Sequence, residues 1–111
     1  MNSGYLVNWS ETAKKDLRDI VDYVAKDNWA AASMLLSKIE ERSSELWSFA
    51  EQGRIVPELN DIGIAQCREL IVAPWRLVYR VMGQQVLILA VFDGRRSLEA
   101  VLLERFRLIY G

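Results

Sequence analysis

At Gln66 the apolar residues of this chain change their spacing, and that change restricts the folds open to it. Upstream they recur every third or fourth position: Ala13, Leu17, Ile20, Val21 and Val24, then Ala32, Leu35, Leu36, Ile39, Leu46 and Trp47. This is the spacing of amphipathic helices that bury one stripe. From Gln66 the alternation becomes two, as in strands with one buried face. Three such runs follow, at 66–72, 75–81 and 86–92. Only Ala73-Pro74 and Met82-Gly83-Gln84-Gln85 lie between them. Connections this short cannot carry a crossover, so the three strands form an antiparallel meander.

The flanking residues complete the order. Residues 5–9 alternate and predict a short first strand. Ser10 is placed to cap a helix running to about residue 25, with Glu11 in its first turn. Lys26-Asp27-Asn28 connects it to a second helix, from Trp29 to about residue 50, so the two form an antiparallel hairpin. The stretch 52–64 holds Gly53, Pro57, Asn60 and Gly63 and reads as a long loop with a short turn of its own. Ser97 caps a final helix lined by Leu98, Val101, Leu102, Arg105, Phe106 and Ile109. The expected fold is α+β, in the order β-α-α-β-β-β-α, with the helix hairpin packed on a small, mostly antiparallel sheet and a C-terminal helix. One domain spans 1–111, the size expected of a single core. The third strand of the meander begins VLILAV and is apolar on both faces. The helix hairpin covers one face, and the C-terminal helix, a partner, or both cover the other.

Several classes are disfavoured. Cys67 is the sole cysteine and the chain has no histidine, so neither a disulfide nor a zinc site can be assembled from it, and a reducing, cytoplasmic setting fits. No phosphate-binding glycine loop or cofactor motif is present, and no cofactor is expected. No run approaches the roughly 18 apolar residues of a membrane span.

Charge is unevenly placed. The net charge is −1, yet residues 1–52 hold six basic against nine acidic side chains, and residues 53–111 hold eight against six. All eight are arginines, the residue suited to bidentate contacts with carboxylates and phosphates. Arg76, Val78 and Arg80 share one strand face, while Trp75, Leu77, Tyr79 and Val81 take the other and should meet the hairpin. Pairing across residues 82–85 puts Leu87, Leu89, Val91 and Asp93 on the arginine side, where Arg76 can pair with Asp93 or Glu69. Arg68 depends on register. A two-residue turn at Ala73-Pro74 sets it opposite Tyr79 on the core side, and a three-residue loop sets it opposite Arg80. Burying an unpaired arginine is costly, so the second register is expected. Arg95 and Arg96, in VFDGRR, lie at the sheet's end beside Arg76. Trp29, Trp47 and Phe49 are expected in the core or packed in the hairpin.

The segments GRIVPELNDIGIAQCREL, PWRLVYRV and LAVFDGRR, in this order of elements, resemble the RelE/ParE superfamily of bacterial toxins, over nearly the whole chain. The resemblance implies a toxin of a type II toxin–antitoxin system. A co-encoded antitoxin would then cover its basic surface and exposed apolar grooves, by a helix in a groove or by strand addition. RelE-like members cut messenger RNA on the ribosome. ParE-like members, the plasmid-stabilisation branch, poison DNA gyrase.

Where many relatives have histidine before Gly-Arg-Arg, this chain has Asp93. No histidine can serve as acid or base, and arginine stays protonated. The ParE-like alternative, target binding through Arg68, Arg76, Arg80, Asp93, Arg95 and Arg96, is therefore favoured. The other alternative is a metal-independent ribonuclease, with Arg68, Arg76, Arg80 and Arg95 holding a phosphate and Glu69 or Asp93 taking a proton. A third is a protein-binding module without toxicity.

Overall fold

The computed structural model describes the backbone of residues 4–110 and side chains through residue 105. Strand β1 (Leu6–Trp9) leads into helices α1 (Glu11–Asp27) and α2 (Trp29–Ser44), the latter extended by a 3₁₀ turn, Glu45–Trp47. Then come β2 (Arg54–Ile55), the one-turn α3 (Pro57–Asn60), β3 (Cys67–Val72), β4 (Trp75–Met82), β5 (Gln85–Asp93) and α4 (Leu98–Tyr110). The expected α+β order holds, with one addition. The breaker-rich stretch contributes two residues that extend the sheet. Its order is β1-β5-β4-β3-β2, with β1 parallel to β5 and the other pairs antiparallel.

Local chemistry sets the helix ends. The Ser10 hydroxyl accepts the Ala13 amide at 3.0 Å, and the Ser97 hydroxyl accepts that of Ala100 at 3.0 Å. The hairpin connection is shorter than three residues. Asn28 alone closes α1, through its amide on Val24 O, and opens α2, through its side-chain oxygen on the Ala31 amide. A residue that caps in both directions needs no further loop.

Helix α2 ends earlier than its apolar stripe suggests. Past Ser44 the chain tightens to three residues per turn. Leu46 stays fully buried, while Trp47 turns outward and is 56% exposed. Phe49, just beyond, and Trp29, the first residue of α2 at the hairpin tip, are 68% and 77% exposed. The expectation that these three aromatics lie in the core or pack in the hairpin is therefore corrected. Trp9 and Trp75 do pack against it.

The sheet separates two apolar clusters. On the hairpin side Ala13, Ile39 and Leu46 meet Leu70, Leu77, Tyr79, Val86, Ile88 and Val91. On the other, Leu98 and Val101 of α4 cover Val78 and Phe92, together with Val56 and Cys67. Both faces of β5 are thus covered from within the chain. Beyond Trp9 the outer edge of β5 is covered by α1 and α4. The Asp16 carboxylate accepts the Val91 amide at 3.0 Å and the Arg105 guanidinium at 2.6 Å.

Two registers decide which side chains meet. The Ala73-Pro74 turn has two residues, and Arg68 lies opposite Tyr79. The expected three-residue register is wrong. The cost argument behind it fails because Arg68 is not unpaired. Its Nη1 donates to the carbonyls of Gly53, at 2.8 Å, and Glu51, at 3.3 Å. The second register follows expectation from Met82–Gln85 to Tyr79–Ile88, and then a bulge intervenes, so that Val78 pairs with Ala90 and Arg76 with Phe92. One extra residue flips everything after it. Val91 and Asp93 therefore stand on the hairpin side, opposite Leu77 and Trp75, and not on the arginine face.

Candidate functional site

On the α4 side of the sheet, strand alternation sets Arg76 and Arg80 on one face, as expected, but their surroundings differ. The Arg76 side chain is 9% exposed and fully engaged. Its Nε donates to Glu69 Oε1 at 2.6 Å, and its Nη1 and Nη2 bond the two oxygens of Glu58 at 2.9 and 3.0 Å. The guanidinium also lies 5.2 Å from the centre of the Phe92 ring, in the range of a cation–π contact. The other oxygen of Glu69 accepts Arg54 Nε at 2.6 Å. The result is an alternating chain, Arg54–Glu69–Arg76–Glu58, whose middle members are buried.

Of the two expected partners for Arg76, Glu69 is the one observed. Asp93 is displaced by the bulge. Arg54 and Glu58, absent from the expected set, complete the chain, supplied by β2 and by the residue after Pro57 in α3. A visible signal was an acid directly after proline, the ordinary first turn of a helix.

The clasp shows in the acidity of Glu58. The paired Arg76 guanidinium, acting chiefly by hydrogen bonding, pulls its carboxyl from 4.5 down to about 2. A folded-state value below the unfolded one stabilises the fold at pH above the unfolded value, and that contribution fades as pH falls from about 4.5 toward 2. With Glu58 partly exposed, solvent screening reduces it to about 1 kcal/mol. Unfolding midpoints of the wild type and Glu58→Gln should differ at pH 6 and converge on acidification through this range. A constant difference would show that the Glu58 charge contributes nothing.

The remaining arginines are more open. Arg80 is exposed, beside Cys67 and Leu87, and no carboxylate among the described residues pairs with it. Arg95, on the turn after β5, bonds Asp93 through Nε and Nη2 and is 80% exposed. The pairing lowers the Asp93 carboxyl to about 2 and raises Arg95. Arg96 bridges to Glu104 of α4 at 3.1 Å and is partly exposed. Between Asp93 and Arg95, Gly94 donates to Pro74 O at 2.7 Å, and a Cβ there would stand 2.8 Å from that oxygen. The turn is thus pressed onto the start of β4, with Gly94 beside the Arg76 stem. The structure brings Arg76, Arg95 and Arg96 to one end of the sheet. It leaves Arg80 four residues away along β4, about 13 Å at strand rise, and puts Arg68 on the opposite face.

Chemically, this surface offers cations on an apolar floor. Glu69 and Glu58 are both held by guanidinium groups, and burial pushes the Cys67 thiol upward, away from the reactive thiolate. Between α3 and α4 runs an apolar groove of about 440 Å³, lined by Leu59, Ile62, Leu98, Leu102 and Leu103, with Glu58 and Glu99 on its rim.

A helix hairpin on a meander, with arginines across the sheet and after its last strand, is the architecture of the RelE/ParE-type toxins. The sequence profile of the ParE toxin of type II toxin–antitoxin systems, parDE, matches residues 7–98, and the chain belongs to that family. It is 35% identical over 88 residues to Toxin ParE3 of Caulobacter vibrioides, covering 78% of this chain and 84% of that one. Among solved structures, the fold is shared with a chain of the chromosomal ParDE system from P. aeruginosa, with a TM-score of 0.66, 24% identity, and coverage of 80% of this chain and 95% of that one. It is also shared with a chain of the RelBE2 toxin–antitoxin complex from Mycobacterium tuberculosis, with a TM-score of 0.54, 20% identity, and coverage of 84% and 94%. The profile match ends where α4 begins.

Proposed function

We propose that this toxin arrests growth by binding DNA gyrase in the cytoplasm and that a co-encoded antitoxin neutralises it. One observation carries the choice of target. The carboxylates on the arginine face, Glu58 and Glu69, are bound to guanidinium groups, and the chain has no histidine. The face therefore has cations but no free proton acceptor near neutrality. That suits docking on a protein surface and does not suit general base catalysis on RNA. The family match and the 35% identity to a ParE toxin point the same way. An acidic, partly disordered antitoxin segment suits Arg80, Arg95 and Arg96, which remain solvent-accessible, and toxin–antitoxin assemblies are found among the proteins of like fold.

The test is induction of the chain alone in a bacterial host, with DNA and protein synthesis followed by pulse labelling. DNA synthesis should fall first. If protein synthesis falls first, the target is the translation apparatus and the gyrase assignment is overturned.

A further inference from the structure

We propose that the Nη edge of Arg76 is a carboxylate-binding site, filled in the free chain by the chain's own Glu58 and taken over in the complex by an acidic side chain of the antitoxin. This rests on the antitoxin proposed above and goes further, to the seat of one of its acids. The two carboxylates that hold Arg76 are unequal. Glu69 binds Nε from a fully buried side chain and is fixed a second time by Arg54. Glu58 binds Nη1 and Nη2 at 2.9 and 3.0 Å from a side chain that is 43% exposed. No other side chain among the described residues donates to it. A buried carboxylate cannot leave its partner without stranding charge. One that stands nearly half in water can rotate away and be solvated. Its departure requires no backbone movement, because α3 is anchored separately. Val56, just before α3, is fully buried, and Leu59 packs against the same apolar cluster.

Glu58 also lines the apolar groove between α3 and α4, which Arg76 does not line. The Glu58 carboxylate therefore stands between guanidinium and groove, and its rotation opens one to the other. Ile62, Leu102 and Leu103 of the groove are each more than half exposed, the kind of apolar surface that a partner covers. The identity of the occupant follows from charge. With Glu58 turned out, Arg54 and Arg76 face the single carboxylate of Glu69. The Arg76 fork then presents two parallel N–H donors without an acceptor, a geometry suited to a carboxylate. Glu58 itself, bound through both oxygens, shows that a carboxylate fits. Glu99, on the groove's other rim, repels a run of acids. The segment that fits is thus apolar, with one Asp or Glu placed to reach Arg76. An internal competitor lowers apparent affinity by the fraction of time the site is open. A partly exposed pair such as Glu58–Arg76 holds its closed form by about a factor of five. Removing it should tighten antitoxin binding by about that factor.

The experiment measures the dissociation constant of the purified full chain and the co-encoded antitoxin by competition titration. Glu58→Ala should bind about fivefold more tightly than the wild type, although it loses a contact of the fold. Glu99→Gln removes the same charge from the groove without touching Arg76 and should change affinity by less than about twofold. In the background Arg76→Met/Glu69→Leu, which has no guanidinium fork, adding Glu58→Ala should bring no gain. Should Glu58→Ala fail to fold, Glu58→Gln must show a gain in the same direction. Affinity at or below that of the wild type in the folded Glu58 variant overturns the proposal, since Glu58 then only holds the fold. A gain matched by Glu99→Gln, or one that persists without Arg76, overturns it as well, because relief of negative charge alone explains it. A wild type that binds no antitoxin removes the antitoxin reading and the proposal together. A wild type that binds it with an affinity indifferent to Glu58 removes the proposal alone.

Discussion

Arg76→Ala should destabilise the fold by about 3–5 kcal/mol, the cost of breaking a buried ion pair by removing one partner. Glu69 would keep only its bond to Arg54, and its Oε1 would be left inside the sheet layer without a donor. Glu58 would lose both its bonds, and the clasp between α3 and β4 with them. Phe92 and Gly94 would lose the side chain they rest against. Domains of this size have only about 5–15 kcal/mol in hand, so a large part of the stability rests on one guanidinium. Arg76→Lys should recover little, because one ammonium cannot serve Glu69 and both oxygens of Glu58 in the planar geometry observed. Arg76→Met combined with Glu69→Leu should recover much more than either alone, since an apolar pair of similar volume avoids the stranded charge. Urea unfolding of these five variants, the two single changes Arg76→Met and Glu69→Leu included, measures this directly. If Arg76→Ala unfolds at the wild-type midpoint yet no longer arrests growth, Arg76 is a docking group and its ion pairs are incidental to stability.

That expectation differs from the role the sequence suggests for Arg76, and the reason is physical. Helix starts, the pairing of two helices and the order of the three-strand meander were legible because each rests on local chemistry: Ser10 and Asn28 as N-caps, a short break around Ala73-Pro74, and alternation that persists for whole strands. The face of Arg76 and Arg80 was legible for the same reason. Its environment was not. The bulge after Tyr79 leaves no mark in an apolar run such as VLILAV, where every residue is suited to either face, so one inserted position exchanged Asp93 for Phe92 beside Arg76. Glu58 reaches Arg76 only because Val56 is buried, which anchors the short α3 over the sheet, a tertiary fact with no local pattern. Arg68 shows the converse error. Its burial cost was reckoned for an isolated guanidinium, whereas the loop carbonyls of Glu51 and Gly53 were there to receive it. Trp47 was misplaced by treating a 3₁₀ turn as continued α-helix, a difference of about 20° per residue.

Arg80→Ala and the double variant Arg95→Ala/Arg96→Ala should do the reverse of Arg76→Ala, losing activity and keeping the fold. Arg80 has no carboxylate partner among the described residues, and the pairs of Arg95 and Arg96 are exposed. Exposed pairs contribute about 0–1 kcal/mol to stability, so the unfolding midpoints should barely move. A hydrogen bond from a charged donor to a target carboxylate or backbone carbonyl contributes roughly 1.5–3 kcal/mol. That is at least about a tenfold weakening for each contact removed, and the double variant removes two. The concentration of purified chain that halves gyrase supercoiling should rise by that factor or more, with a weaker salt dependence than the wild type because fewer screened charges take part. The comparison with Arg76→Ala is informative because the surface arginines and the buried one come from the same strand and turn. Loss of activity confined to the unstable Arg76→Ala would mean that the arginine face only holds the molecule together. The contact with the target would then have to be sought elsewhere, first at the apolar groove between α3 and α4, where Leu102 and Leu103 stand exposed.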